Sequence, residues 1–239
     1  MTITSQNIFA TLEATWPAAK YENYDGWLIR DGAGGGSRVS SVTLEDDTKL
    51  PTLEPLLAEK SPSLFMVRSE QEALDAALDA HGFKIKDPVV IYGCDIDQLA
   101  GHEVPPVSAF HFWPPLEIQR ELWLEGGIGP ERLAVMARAP MPKTGALCRW
   151  KDRAAGTAFI GIDNDIAMLH ALEVTQSRRR MGAAQNLMYG AANWAREMGA
   201  RYFSVIVTEA NGPANALYAS LGMEVVESYH YRHREETAT

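Results

Sequence analysis

The stretch from Val174 to Ala184, VTQSRRRMGAA, holds the residues whose types and spacing imply chemistry most directly. It follows an apolar run, IAMLHALEV, and leads into a segment whose Ala184, Leu187, Met188, Ala191, Ala195 and Met198 keep the three–four spacing of a helix. Arg178, Arg179 and Arg180 therefore stand at a helix start, where the backbone carries partial positive charge and unbonded amides. Three cations there oppose the dipole by up to ~1 kcal/mol each unless an anion lies among them. Gly182 and the small Ala184 let a phosphate approach the backbone closely. The pattern reads as a phosphate cradle, with a solvated run of surface arginines as the plain alternative.

The elements that must hold this turn are a strand over Ile166 to Val174, a helix from about Gly182 to Met198 stopped by Gly199, and a second strand in ARYFSVIV. Strand, helix, strand predicts a right-handed crossover with the two strands parallel. Upstream, helices are expected at Glu117 to Glu125 and Pro130 to Arg138, and strands at Gly145 to Trp150 and Thr157 to Asp163. The segment GHEVPPVSAFHFWPP, with four prolines, reads as a linker. Before it come a helix near Gln6 to Ala14, strands Gly26 to Arg30 and Ser37 to Leu44, and a helix Pro51 to Glu59. A strand Leu64 to Val67, a helix Glu70 to Ala80 and a strand Pro88 to Tyr92 follow. DGAGGGS lies between two strands and lacks a GK[ST] ending, so it reads as a hairpin tip rather than a nucleotide loop.

Composition removes several classes. At 239 residues and 46% hydrophobic, the chain can bury a core, and disorder is excluded. No stretch is apolar enough to span a bilayer, and the start lacks the pattern of a signal peptide; the expected location is the cytoplasm. The net charge is −9, and residues 1–107 carry all of it, with 8 basic against 17 acidic side chains; residues 108–239 balance 14 against 14. An acidic first half speaks against nucleic-acid binding, and it can steer a cationic ligand. Cys94 and Cys148 are too few for a disulfide framework or zinc cage. His230 and His233, three apart on a strand, are poor joint metal ligands. Trp113 and Trp123, with Phe110 and Phe112, are expected to pack where the two halves meet.

Arg179, Gly182 and Ala184 in the spacing RxxGxA resemble the acetyl-CoA pyrophosphate loop, Q/RxxGxG/A, of the GNAT (Gcn5-related N-acetyltransferase) superfamily. After the next strand, Asn211, Ala214, Leu217, Tyr218, Gly222 and Met223 stand where that family shows NxxAxxLYxxxGF. The resemblance covers Phe112 to His233. It implies an α/β acyl-CoA N-acyltransferase fold, a mixed central sheet flanked by helices. It further implies that the strands either side of the loop splay apart, that backbone groups of Leu172 and Val174 hold the pantetheine arm, and that Arg179, Arg180, Met181, Gly182, Ala183 and Ala184 hold the pyrophosphate. Asn211 resembles an asparagine that faces the cofactor; an N-cap is its other reading.

Tyr218 corresponds to the tyrosine near the cofactor sulfur, the general-acid candidate for the departing thiolate, with a core role as the alternative. For the base, Ile206 occupies the position where some relatives carry Glu. Glu173 is preferred over His170, strand alternation placing them on opposite faces; a water chain is the remaining option. Aligning Gly82 with Gly222 sets Leu78 at the place of Tyr218 and Gln71 at that of Asn211. This resembles tandem members with an incomplete first half: a degenerate N-terminal domain over residues 1–107, walling the acceptor cleft, and the N-acetyltransferase domain over 108–239. The implied activity is direct transfer of an acetyl group from acetyl-CoA to a primary amine, a small molecule or a peptide N-terminus, without a metal. A non-catalytic acyl-CoA-binding or sensing protein is the alternative. The sequence leaves the acceptor, the acyl length and the oligomeric state open.

Overall fold

The strand Arg153–Asp163 is buried along almost its whole length, so both faces of any sheet containing it must be covered. The computed structural model, which describes residues 2–46, 49–105 and 108–235, shows how. In chain order, helix α1 (Ser5–Thr15) is followed by strands β1 (Lys20–Tyr24), β2 (Trp27–Asp31) and β3 (Thr43–Leu44), α2 (Leu53–Glu59), β4 (Leu64–Arg68), α3 (Glu72–Ala80), β5 (Lys84–Asp95) and β6 (Ala109–Phe112). Then come α4 (Glu117–Glu125), α5 (Pro130–Arg138), β7 (Lys143–Trp150), β8 (Arg153–Asp163), β9 (Ile166–Val174), α6 (Ala183–Glu197), β10 (Tyr202–Thr208), α7 (Gly212–Ser220) and β11 (Glu224–His233). Eight strands form one mixed sheet in the order β4-β11-β5-β10-β9-β8-β7-β6, and β1-β2-β3 form a second, small sheet.

Helices α6 and α7 cover one face of the large sheet, where Leu187, Met188 and Tyr218 meet Ile160, Leu169 and Phe203. Helices α1, α4 and α5 cover the other, where Ile8, Leu12, Trp123, Val135 and Met136 meet Phe159 and Met168. A third core, around Trp27, Leu56, Phe65, Leu74 and Phe83, fills the N-terminal part. The second core draws on both halves of the chain, with Trp123 fully buried in it, and burying each such side chain contributes about 1.5–3 kcal/mol. Helix α1 begins cleanly because Thr4 and Asn7 cap each other reciprocally at 2.7 and 3.3 Å.

Most expected elements are present, with four corrections. The predicted linker contains β6, which pairs Phe110 with Leu147 on β7. The expected strand Ser37 to Leu44 reduces to Thr43–Leu44 after a tight turn at Ser37–Val39. Strand β1 is unmarked in the sequence because its residues are exposed or nearly so, leaving no alternation to see. The strand expected over Pro88 to Tyr92 extends over Lys84–Asp95. The domain boundary expected at Val107 lies outside the described residues; strands from either side of it share the large sheet.

Two strand–helix–strand units interlock in that sheet: β11 lies between β4 and β5, and β5 between β11 and β10. Their helices end alike. Gly82 and Phe83 bond back to Asp79 and Leu78, as Gly222 and Met223 bond back to Ala219 and Tyr218. Phe65 of β4 forms a parallel bridge with Val42, and Val205 of β10 a parallel pair with Leu169; Phe65 and Val205 precede Gly82 and Gly222 by the same distance.

Candidate functional site

The ladder between β9 and β10 is parallel and short, running from Tyr202↔Ile166 to Val205↔Leu169. Beyond it β9 stays with β8 as far as Val174↔Gly156, while β10 stays with β5 as far as Thr208↔Val89. The two strands part like a fork, and on that edge the main chain of residues 170–174 has no strand beside it. Such amides and carbonyls require a partner, and a ligand carrying amides of its own can provide one. Leu172 and Val174 lie on this stretch, their side chains packed toward α6.

Strand β9 also carries a bulge. Thr157 pairs with Glu173 and Phe159 with His170, so the single residue Ala158 opposes Ala171 and Leu172, and Ala171 takes a φ of 50°. Trp123 holds the bulge by donating its Nε1–H to the Ala171 carbonyl at 2.8 Å. Because Thr157 and Phe159 share a face of β8, their partners share a face of β9. His170 and Glu173 therefore point the same way, toward α1, α4 and α5, correcting the expectation of opposite faces.

At the open end of β9, Gln176–Arg178 form a tight turn, and Arg179 folds back to donate from Nε to the Val174 carbonyl at 3.2 Å. Arg180 and Gly182 both take left-handed backbone, φ 61° and 84°. Gly182 is the N-cap of α6 and no side chain caps it; the first amide bonded back to the cap is that of Asn186, at 2.9 Å. The amides of Ala183, Ala184 and Gln185 are thus the free donors of a helix start. Nothing stands within 4 Å of where a Gly182 Cβ would lie, so positive φ, not crowding, calls for glycine there. Residues 179–182 are exposed and Ala183 is buried. The structure thus collects the predicted Arg179, Arg180, Met181, Gly182, Ala183 and Ala184 into one turn at the mouth of the fork.

Asn211 is the N-cap of α7, its Oδ1 accepting from the Ala214 amide at 3.3 Å. The residue that sequence reasoning missed is Asn215. Its amide donates to the carbonyls of Thr208, Glu209 and Asn211, and its Oδ1 accepts from the Tyr92 hydroxyl at 3.2 Å. Asn215 thereby ties the free end of β10 to α7, a role that no local pattern announces. Tyr92 and Tyr218 pack with ring centroids 5.7 Å apart. Tyr218 is 4% exposed; burial, and then the negative charge of Glu173, raise its hydroxyl to about 12.

Glu173 lines a cavity of about 370 Å³ with Glu125, Gly126, Thr175 and Arg179. Its carboxyl makes no hydrogen bond among the described residues, and burial raises its pKa against the lowering pull of Arg179 and Arg132. The end of α4 presses on it: a Cβ at Gly126 would lie 2.5 Å from the Glu173 Cδ, so a larger residue there would have to displace the Glu173 carboxyl.

The proton arrangement of His170 is fixed by its neighbours. Arg38 can only donate, so the His170 Nδ1, 3.2 Å from Arg38 Nη1, must be the acceptor. Nε2 then carries the hydrogen and donates to Thr15 Oγ1 at 2.8 Å, while Thr15 donates to the Thr11 carbonyl at 2.7 Å. Burial and the Arg38 charge hold this imidazole neutral, its pKa well below the usual value. With both ring nitrogens engaged, His170 is not available as a base.

Residues 111–223 match the family model for the acetyltransferase (GNAT) family. That region, 113 of the 239 residues, is thus similar to the GNAT family. The fold agrees: a GCN5-related N-acetyltransferase from Kribbella flavida is 17% identical with a TM-score of 0.72, over 99% of this chain and 97% of that one. A functionally unknown conserved protein from Staphylococcus epidermidis is 12% identical at TM-score 0.70, covering 99% of both chains. A tandem GNAT protein from the clavulanic acid biosynthesis pathway is 18% identical at 0.54, over 77% of this chain and 67% of that one. No curated protein is significantly similar in sequence. The fork, the bulge and the turn before α6 all lie within the GNAT match. Among the described residues no helix is long and apolar enough to cross a membrane, and no group of three or more His, Cys, Asp or Glu side chains could hold a metal ion.

Proposed function

We propose that the protein transfers an acetyl group from acetyl-CoA directly to a primary amine. The observation that carries this reading is the fork: the β9–β10 ladder ends at Leu169↔Val205, immediately beside a turn whose helix-start amides are free. The turn from Arg179 to Ala184 would hold the pyrophosphate through its amides, and the unpaired edge at Leu172 and Val174 the pantetheine amides. Bound there, acetyl-CoA supplies the thioester that the amine attacks and the thiolate that departs.

The two faces of the sheet divide the work. Glu173 stands on the α4/α5 face and takes the proton of the incoming amine; its lifted pKa suits a base better than an ordinary carboxylate does. Tyr218 stands on the α6/α7 face and donates its hydroxyl hydrogen to the leaving sulfur. A free amide of β9 near the bulge stabilises the charge that develops on the carbonyl oxygen. In the N-terminal half Leu78 takes the place of Tyr218 and no RxxGxA turn precedes α2, so this half is read as a degenerate copy that walls the acceptor side. The location proposed is the cytoplasm.

The test is a screen of primary amines for acetyl-CoA-dependent release of CoA, followed by Tyr218→Phe. The substitution is expected to lower kcat by roughly 10²-fold while CoA affinity by calorimetry holds. Unchanged kcat would remove the acid role, and absence of release with every amine would remove the transferase reading.

A further inference from the structure

Arg30, Arg38 and Arg232 are drawn into the protein to differing degrees. Two have carboxylates: Arg30 pairs with Glu13 at 2.7 Å, and Arg232 with Asp75 and Asp79, each at 2.7 Å. Arg38 has none among the described residues. Its Nη1 donates to neutral His170, its Nε is buried without any partner, and its guanidinium stands 5.7 Å from the centre of the Trp16 ring. The hydroxyls of Tyr229 and Tyr231 stand beside the guanidinium as polar neighbours, and neither is a carboxylate. A cation removed from water costs several kcal/mol unless an opposite charge meets it. Yet Arg38 is not sealed in, for the residue keeps partial exposure.

Its placement is built. The glycine run before it lies along α5, with Gly34, Gly35 and Gly36 against Glu131, Val135 and Arg132. The relay from the Thr11 carbonyl through Thr15 and His170 ends on the guanidinium. His170 is the first residue of β9 past the β10 ladder, on the same face as Glu173. Arg38 thus stands where the fork opens, on the side from which the amine approaches.

We propose that Arg38 is the residue that selects the acceptor, by binding a carboxylate carried on the same molecule as the reacting amine. This rests on the amine-transfer reading above and sharpens it. The acceptor is an amino-carboxylic acid: its amine lies toward Glu173, and its carboxylate supplies the anion that Arg38 lacks. Guanidinium geometry suits a carboxylate through paired donors. Thr15 and His170 act as positioning residues, holding the guanidinium rather than touching the acceptor. The cationic acceptors suggested by the acidic N-terminal half remain compatible where they also bear a carboxylate, as a basic amino acid does.

The experiment compares matched sets in the wild-type protein: amino acids, their carboxamides and their decarboxylated amines, including lysine with cadaverine and γ-aminobutyrate with propylamine. CoA release is measured as kcat/KM. The carboxylate-bearing members are expected to be preferred by about tenfold or more, since a site built to pair a polar group rejects analogues lacking it. Arg38→Met should erase that preference by raising KM for the acids at least tenfold more than for the carboxamides, with CoA affinity unchanged. Equal use of acids and amines by the wild type, or a preference that survives in Arg38→Met, overturns the assignment while the transferase reading stands. If no amine of any kind is turned over although acetyl-CoA binds, the transferase reading falls and this assignment with it.

Discussion

Glu173 and His170 show how much a single backbone dihedral decides. Read as a regular strand, β9 sends them to opposite faces; the positive φ of Ala171 adds one residue to the count and brings them together. Nothing in the sequence announces this, because the residue that adopts the left-handed conformation is alanine, whereas glycine would have marked the place. The chemical choice between the two was legible from neither residue alone. It follows from the donor-only character of Arg38, which occupies the His170 Nδ1 lone pair, so that of the two only Glu173 keeps open the role proposed for it. A free-enzyme base with a raised pKa must lose its proton before it works, so kcat/KM should climb as pH rises through a value above the ordinary 4.5 of a glutamate. Glu173→Gln should abolish that limb and lower kcat/KM by roughly 10²-fold or more, measured as a pH–rate profile. A profile identical to the wild type's would assign the limb to another group.

Among the elements, those that form the site were the most legible. The helix after the arginine run and the strands on either side of it were marked by strong periodicity and by Gly199, and the structure has them within a residue or two at each end. The misses are short or exposed: β1 offers no alternation, and β6 hides among prolines because its four residues draw their order from pairing with β7 rather than from their own pattern. One element-level contact carries a pH signature. Arg232 and His230 of β11 hold Asp75 of α3 at 2.7 and 2.6 Å, and the Arg232 hydrogen bonds draw the Asp75 pKa down from 3.8 to about 2. Since the folded carboxyl is the more acidic, its contribution is complete above the unfolded value and is lost as pH falls from about 4 to 2. Asp75→Asn should therefore cost about 1–2 kcal/mol at neutral pH and flatten the acid limb of stability. Urea titrations at pH 7 and pH 2.5 check this; an equal loss at both would contradict it.

At the scale of the molecule, the split in charge and the proline-rich stretch suggested two units, and the repeat of Gly82 and Gly222 suggested that they are copies. Helices α3 and α7 stop with the same backbone bonds. What the sequence could not reveal is that the second strand of each unit is inserted beside the strands of the other, because strand order depends on pairing between residues far apart in the chain. A chain cut at the expected boundary would leave β10 without β5 and β11 without β4 and β5. Residues 108–239 expressed alone should accordingly fail to unfold cooperatively, and the whole chain should melt in a single transition. A cooperative melt of the fragment would show that the units are independent after all.

The same sheet creates the fork on which the functional account depends, and the most direct test is a calorimetric titration of CoA into the intact protein and into Gly182→Val. The account predicts one CoA per chain for the wild type and a loss of affinity of tenfold or more in the variant, where a β-branched side chain cannot hold the φ of 84° at the helix start. No heat with the wild type, or undiminished affinity in a variant that remains folded, would contradict it.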